Sequence, residues 1–332
     1  MILPYLRGIQ SFFYAPVTWM IFLVNVLVML IILKTGFISQ NAINEIYSDP
    51  LFLQAQGEFY SQYILYNKKI YKNETLELVH KANVNNDNEK LQILGGLGVR
   101  DQAFLEQVNN FAFVGDTVLL NWWKNKLNEI QKLQDLHPSY TLGLNSKDIS
   151  FSKWLTYQFV HSGLVHFFGN MLFLLIFGCM LEPVIGGVGL LISYLLSGMV
   201  AAGVFLFLSG VSSVPLIGAS GAVSGIMALF CFMFWRRSVR YVYFLFIPRR
   251  GYAGYVYLPG WITMAIWVLS DLAGYIGTVD EFGGIAHTAH LGGEFSGVVV
   301  GLVLYCLRVI LKKDQLPEEK IPPTFPIGTK IA

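Results

Sequence analysis

Charged residues are scarce in this chain. Only 13% of its 332 residues are Asp, Glu, Lys or Arg, against about 25% in a soluble domain. A membrane-spanning helix needs about 20 mainly apolar residues. The segments that meet this need, with Glu294 as the single charge in the last, are 8–33, 154–181, 183–235, 251–270 and 282–307. The third is too long for one helix and is divided by SGVSSVPLIG (209–218), so we predict an all-α polytopic membrane protein with six spans.

Cysteine is also rare. The three cysteines, Cys179, Cys231 and Cys306, all fall in apolar segments far apart in sequence, which excludes a disulfide framework or a cysteine-based metal site. A net charge of +2 gives no reason to expect a nucleic-acid partner. Arg7 before an apolar run resembles a signal peptide, but LKTG (33–36) lacks a cleavage pattern, so we predict a retained anchor.

Basic residues in the short links predict the orientation. The link between spans four and five and the tail are basic, whereas the links 209–218 and 271–281 contain no Lys or Arg. Positively charged loops stay in the cytoplasm. Both termini are therefore predicted to be cytoplasmic, most plausibly at the plasma membrane, although Lys34 argues weakly against this orientation. The basic residues are Arg236, Arg237, Arg240, Arg249, Arg250, Arg308, Lys312 and Lys313.

These patterns divide the chain into four parts. Residues 1–34 form the N-terminus and the first span, 35–150 an outer-side insertion, 151–311 a core with spans two to six, and 312–332 a disordered cytoplasmic tail rich in proline and charge. Within the insertion, 121–136 has the apolar spacing of an amphipathic helix. Its Trp122 and Trp123 suit either the membrane interface or the insertion's own core, and the sequence assigns the insertion no function.

Three polar stretches lie at the predicted outer ends of spans. HSGLVHFFGN (161–170) opens span two, GASGAVSG (218–225) opens span four and HTAHLGG (287–293) opens span six. Polar side chains inside a membrane are costly, so a cluster of them indicates function. Small residues alone indicate close helix packing, and a lone histidine suits an interhelical hydrogen bond. The convergence of all three stretches at one depth favours catalysis.

The spacing of residues in these stretches predicts a serine nucleophile with a histidine base. Ser220 stands between Gly218 and Gly221 at a helix start, where free N–H groups favour a developing negative charge. Small residues on spans four and six allow the close approach that brings His290 to Ser220, so that histidine can take the serine proton. The small-residue faces are Gly221, Gly225 and Ala228 on span four, and Gly293, Gly297 and Gly301 below His290 on span six.

Span two supplies hydrogen-bond donors. His166 and Asn170 are four residues apart on one helix face, and both can donate to an oxyanion together with the Ser220 N–H. A zinc site formed by His161, His166, His287 and His290 is the alternative. It is disfavoured because HExxH is absent and no ligand spacing matches. We therefore predict no metal and no cofactor.

The sequence resembles the rhomboid family of intramembrane serine proteases over residues 151–311. The family's GxSG motif corresponds to Gly218–Gly221, HxxxxHxxxN to His161, His166 and Asn170, and AHxxGxxxG to Ala289, His290, Gly293 and Gly297, with an acidic match at Glu182.

The resemblance implies a Ser220–His290 dyad without a catalytic aspartate, an oxyanion hole of His166, Asn170 and the Ser220 N–H, and a six-helix core in the lipid bilayer. Its implied partners are transmembrane segments of membrane proteins, cleaved near the outer face after a small residue. It also implies that 271–281 is a flexible cap.

Three positions need comment. Ser224 stands where many relatives carry an aromatic ring that stacks on the histidine. Glu294, one turn beyond His290, is interpreted as a hydrogen-bond partner of His290 or as a carboxylate that pairs elsewhere. His287 also precedes the glycines, but Gly293 and Gly297 stand at the motif spacing only from His290, while His161 lies on another face from His166 and is interpreted as structural.

Two other functions remain open at this stage. One is an inactive relative that binds membrane helices. It is disfavoured because such a protein would need none of Ser220, His290 and Asn170. A small transporter is disfavoured because no inverted repeat or pair of broken helices is visible.

Overall fold

The computed structural model describes residues 2–4, 14–85, 87–145, 148–208, 215–244, 253–277 and 287–310. The described part is mostly helical, as predicted. The helices are α1 (Pro16–Ser48), α2 (Pro50–Tyr66), α3 (Asn73–Asn85), α4 (Asn88–Gly98), α5 (Gln102–Gln107), α6 (Thr117–Leu136), α7 (Pro138–Leu142), α8 (Phe151–Thr156), α9 (Leu164–Ile185), α10 (Gly187–Leu208), α11 (Ser220–Met233), α12 (Gly260–Gly277) and α13 (His287–Ile310), and the strands are β1 (Ile2–Pro4), β2 (Ser238–Phe244) and β3 (Ala253–Pro259).

The chain is a multi-pass integral membrane protein. Within the described residues, α1, α9, α10 and the His287–Leu307 part of α13 are long and apolar enough to cross a membrane. α11 and α12 are apolar but shorter, so length supports four spans directly, and the total of six stays a prediction. Each of these six helices overlaps one of the predicted spans, although some, including the first and the fifth, begin later than predicted. The polytopic helical bundle is therefore confirmed as the fold class.

α11 is the innermost helix of the bundle, and glycines let α13 lie against its backbone. A Cβ on Gly293 would collide with the carbonyl oxygen of Gly221, and a Cβ on Gly297 with that of Gly225. On the other side of α11, Ile226 and Leu229 are fully buried among residues of α9 and α10. The predicted small-residue contact between the fourth and sixth apolar helices is thus confirmed.

Glu182, near the end of α9, holds the first turn of α1. Its carboxylate accepts hydrogen bonds from the Val17 N–H at 2.9 Å and from the Thr18 N–H and hydroxyl at 2.7 Å each. The first N–H groups of a helix have no partner within it, and a carboxylate also suits the positive end of the helix dipole. With 3% exposure, Glu182 fixes the first helix to the core.

A three-stranded antiparallel sheet in the order β1-β2-β3 lies at the other end of α11 from Ser220. Ile2 pairs with Tyr243, so the N-terminus and the link after α11 share one end of the bundle. Strands were not predicted here from the sequence. Residues 253–259 are apolar and were absorbed into the fifth predicted span, which in the structure begins only at Gly260. Alternating β-branched and aromatic residues were the available strand signal.

The insertion forms its own helical core from α2 to α6 together with the distal part of α1. Trp123 of α6 is fully buried there, lies 4.6 Å from Phe59 between ring centroids, and donates its indole N–H to Gln56 Oε1 at 2.5 Å. This contact decides the open question on the tryptophans in favour of the insertion's core. It also confirms the amphipathic helix predicted at 121–136, which extends from Thr117 to Leu136.

The insertion is joined to the bundle at both of its ends. α1 is one helix of 33 residues that runs through the predicted boundary at 34–35, and its length of about 50 Å exceeds the roughly 30 Å of a bilayer core. At the other end, Leu144 exchanges two backbone hydrogen bonds with Leu216, at 3.0 and 2.6 Å. We call the end of the bundle from which 49–150 extend the insertion end. The predicted tail, 312–332, lies outside the described residues.

Candidate active site

α9, α11 and α13 all begin at the insertion end, and their first turns carry the predicted site residues. The loop before α11 turns at Gly218, whose φ of +120° is a conformation that side chains other than glycine rarely adopt. The Gly218 N–H donates to the Tyr157 carbonyl at 3.0 Å. This loop places Ser220 as the first residue of α11, half-buried, with free helix N–H groups beside it.

Ser220 and His290 lie on helix turns that are in contact. The position of a Cβ on Gly221 would be 3.4 Å from the Ala289 carbonyl oxygen, so the residue after the serine touches the residue before the histidine. Within the part of the chain that the structure describes, no hydrogen bond joins Ser220 to His290. Such bonds are often long in the absence of substrate and tighten in the complex.

His166 and Asn170 border the loop at Gly218, two residues before the serine. A Cβ at Gly218 would lie 2.8 Å from His166 Nε2 and 3.8 Å from Asn170 Nδ2. The other ring nitrogen, His166 Nδ1, is 3.2 Å from the Ser162 hydroxyl. When that hydroxyl donates to Nδ1, Nε2 carries the imidazole proton and can donate toward Ser220.

The Asn170 amide has a free donor. Its Nδ2 is buried and has no hydrogen-bond partner within the described part of the chain. A buried donor without a partner costs about 1–3 kcal/mol, and most such groups in proteins are paired. Here the unused donor lies beside Gly218, where an oxyanion formed at Ser220 would need it.

His161 is fully buried and packs against His166. The two imidazole centroids are 5.1 Å apart with their planes at 70°, and Phe167 lies 5.4 Å from His161 in a similar edge-on contact. His161 thus supports the His166 ring from behind. This contact agrees with the interpretation of His161 as structural.

Asp271 is the hydrogen-bond partner of His290, and no motif in the sequence pointed to it. Its Oδ1 lies 2.9 Å from His290 Nδ1 and 2.6 Å from His287 Nδ1. The residue was assigned to a flexible link at 271–281, but 271–277 continue α12, while 278–281 lie outside the described residues. The available signal was that Asp271 is the sole charged residue of α12, because an acid inside an apolar helix indicates function.

Glu294 does not take the role considered for it. Among the described residues no hydrogen bond joins it to His290, and its buried Oε2 has no partner. Ser224, at the position where an aromatic ring was the expected support, is only half-buried. Asp271 therefore provides the side-chain hydrogen bond to His290 that Glu294 was considered for.

Asp271, His287 and His290 could also be considered as metal ligands, because one donor atom from each lies within 4.8 Å of the others. A tetrahedral zinc with bonds of about 2.0–2.1 Å keeps its ligand atoms roughly 3.3 Å apart. The distances from Oδ1, 2.6 and 2.9 Å, are shorter than this and are those of hydrogen bonds. The geometry is that of one carboxylate shared by two imidazoles.

A family model described as Rhomboid domain matches residues 149–306, which include every side chain of this site. Residues 149–306 are a rhomboid domain. The resemblance of the motifs is thereby confirmed for this part of the chain. Members of the rhomboid family are typically intramembrane serine proteases acting on membrane-protein substrates. No curated protein matches the chain significantly.

Proposed function

We propose that this rhomboid protein is an active intramembrane serine endopeptidase that cleaves transmembrane segments of other membrane proteins. The unpaired Asn170 amide beside Gly218 is the observation that carries the proposal. A protein that only binds membrane helices has no use for a buried, unsatisfied donor next to a serine at a helix start. An acyl-transfer enzyme uses it to bind the oxyanion.

The proposed reaction follows from the positions of these groups. His290 Nε2 takes the proton of Ser220 Oγ, which attacks the substrate carbonyl carbon. The resulting oxyanion accepts hydrogen bonds from His166 Nε2, Asn170 Nδ2 and the Ser220 N–H. His290 then gives the proton to the leaving amine as the peptide bond breaks. A water molecule, deprotonated by His290, hydrolyses the acyl-enzyme and restores Ser220.

The location of the site limits where a substrate is cut. Ser220 lies at the insertion end of the bundle, so the scissile bond lies near that face of the bilayer. With the orientation predicted from the basic links, this is the outer face of the plasma membrane, and both termini are cytoplasmic. We expect a small residue before the scissile bond, as the rhomboid resemblance implies, and the close approach of His166 and Asn170 to Gly218 agrees with this.

Cleavage by purified protein in proteoliposomes tests the proposal. The substrate is a single-span reporter with small residues near one membrane face and a fluorophore at each end. Wild-type protein should cut the reporter at one site. Ser220→Ala and His290→Ala should have the wild-type melting temperature but give no product above the vesicle blank. Cleavage by Ser220→Ala at the wild-type rate would falsify the assignment of the nucleophile.

A further inference from the structure

Asp271 and His290 come from different helices, α12 and α13, and a third residue, His287, contacts the same carboxylate oxygen. We propose that Asp271 is a positioning residue for His290, with His287 as the second donor that holds the carboxylate in place. The site then works as a Ser–His–Asp arrangement, rather than as the dyad that the family resemblance implies. The proposal rests on the proposed protease function and deepens it.

The contact with Asp271 sets the tautomer of His290. A carboxylate oxygen only accepts, so the 2.9 Å contact requires His290 Nδ1 to carry a proton. In the neutral ring Nε2 then has the free lone pair. This is the form needed to take the Ser220 proton, and without the aspartate the ring is free to adopt the other tautomer or to rotate.

The carboxylate itself is held rigidly. His287 Nδ1 donates to the same Oδ1 at 2.6 Å, and the His287 ring lies directly on Gly274, where a Cβ would collide with it. Gly274 is one turn beyond Asp271 on α12. His287 is thus fixed by the helix that carries the aspartate, and the two hydrogen bonds hold Oδ1 between the rings.

The contact also has an electrostatic effect. Proton transfer from Ser220 makes His290 an imidazolium, and the side chains of Asp271 and His290 are only 17% and 16% exposed. A negative charge 2.9 Å away stabilises that cation more strongly here than in water. The titratable groups around His290 are Asp271 from α12, His166 from α9, and His287 and Glu294 on its own helix.

The test compares Asp271→Asn with Asp271→Glu in the proteoliposome assay. Asn should lower kcat by about 10²–10⁴-fold with KM within about twofold, because the amide favours the wrong tautomer. The acidic limb of its pH–rate profile should move to lower pH, because the imidazolium no longer has a negative neighbour. Asp271→Glu should restore part of the rate and return the acidic limb to its wild-type position. Asp135→Asn, the same change on an exposed residue of α6, is the matched control and should match wild type.

His287→Gln separates the positioning role from a simple folding defect. It leaves the aspartate in place but loosens it, so kcat should fall by about tenfold, with the melting temperature unchanged. If Asp271→Asn does not fold, a His287→Gln variant with wild-type kcat and pH profile overturns the proposal. A folded Asp271→Asn variant with wild-type kcat overturns it as well.

Two further results distinguish this proposal from its neighbours. Ser220→Ala with wild-type cleavage rejects the protease assignment itself, whereas an inactive Ser220→Ala beside a fully active Asp271→Asn rejects only the positioning role. A chelator should leave wild-type activity unchanged. Loss or gain of activity with the chelator, reversed by Zn²⁺, would show that the three side chains bind a metal, and it would overturn the hydrogen-bonded arrangement.

Discussion

Replacing Asn170 should lower activity without lowering stability. Its buried Nδ2 has no partner among the residues that the structure describes, so holding the side chain there costs stability, and in the proposed reaction the donor is used only when an oxyanion forms. Asn170→Ala should lower kcat by about 10²–10³-fold, as the loss of one oxyanion donor does. The same variant should unfold at the same or a higher temperature than wild type.

Activity in proteoliposomes and thermal unfolding in detergent measure the two effects of Asn170→Ala on one preparation. A variant that is less stable yet fully active would contradict both halves of this prediction. Ser224→Ala is a useful comparison, since Ser224 lies one turn below Ser220 and makes none of the hydrogen bonds of the loop.

Glu182 should matter for stability and not for chemistry. Three donors from α1 share its carboxylate, and Glu182→Gln leaves an amide group in place of one accepting oxygen. We expect a loss of about 1–3 kcal/mol in unfolding free energy, because a buried donor loses its partner. Differential scanning fluorimetry in detergent measures it. Glu45→Gln, at an exposed position of the same helix, is the control and should unfold with wild type.

Asp271 shows what sequence reasoning misses at the level of single residues. The residues proposed as nucleophile, base and oxyanion donors could be found in the sequence because each lies in a short pattern with a fixed spacing. Asp271 has no such pattern, and its partner is 19 residues away on another helix. Because Asp271 is charged, the predicted apolar segment ended at residue 270, and Asp271 was assigned to the link that follows it. Its hydrogen bond depends on how α12 and α13 pack, which spacing along one helix cannot reveal.

Paired glycines in α4 offer a direct test of helix packing in the insertion. A Cβ at Gly95 would collide with the Leu53 carbonyl of α2, whereas Gly96 faces open space. Gly95→Ala should cost about 1–3 kcal/mol because the two helices must separate. Gly96→Ala should instead stabilise by about 0.4–1 kcal/mol, by restricting the unfolded chain.

Chemical denaturation followed by circular dichroism at 222 nm compares the two glycine variants under identical conditions. They differ by one position and carry the same added methyl group. Equal effects of the two substitutions would show that α2 and α4 do not approach as closely as the structure describes.

At the level of elements, the sequence predicted helices well and strands badly, for one reason. A long apolar run with small residues on one face is a strong signal, so α9, α10, α11 and α13 lie where they were expected. β3 is also apolar, and a hydropathy window cannot distinguish seven such residues from the start of a helix. Its pairing with β2, and of β2 with β1 near the N-terminus, joins segments far apart in sequence.

For the whole molecule, we predict that His137 makes the joint between insertion and bundle sensitive to pH. The ring lies against Gly36 of α1, and its Nδ1 accepts the Ser139 N–H at 3.1 Å. Burial lowers the pKa of His137 below its usual value of 6.5. The folded state therefore favours the neutral ring. The contribution of His137 to the free energy of unfolding is complete above pH 6.5 and is lost as the pH falls from there toward the lowered pKa.

Hydrogen exchange of α7 at pH 7.5 and at pH 5.5 measures this effect. Protection of 138–142 should fall at the lower pH, and His137→Asn, which keeps an acceptor for the Ser139 N–H but does not titrate, should remove most of the difference. Equal protection of wild type at both pH values would show that protonation of His137 is not coupled to this joint.

The backbone pairing of Leu144 with Leu216 changes how truncations of this protein must be read. Removing residues 35–150 also removes Leu144, which leaves the N–H and carbonyl of Leu216 without their partners, four residues before Ser220. Loss of cleavage in such a shortened protein would then report a loosened Ser220 loop, whatever the insertion does with substrates. A shortened protein that ends its deletion before Gly143, and so keeps that pair of hydrogen bonds, measures the insertion alone.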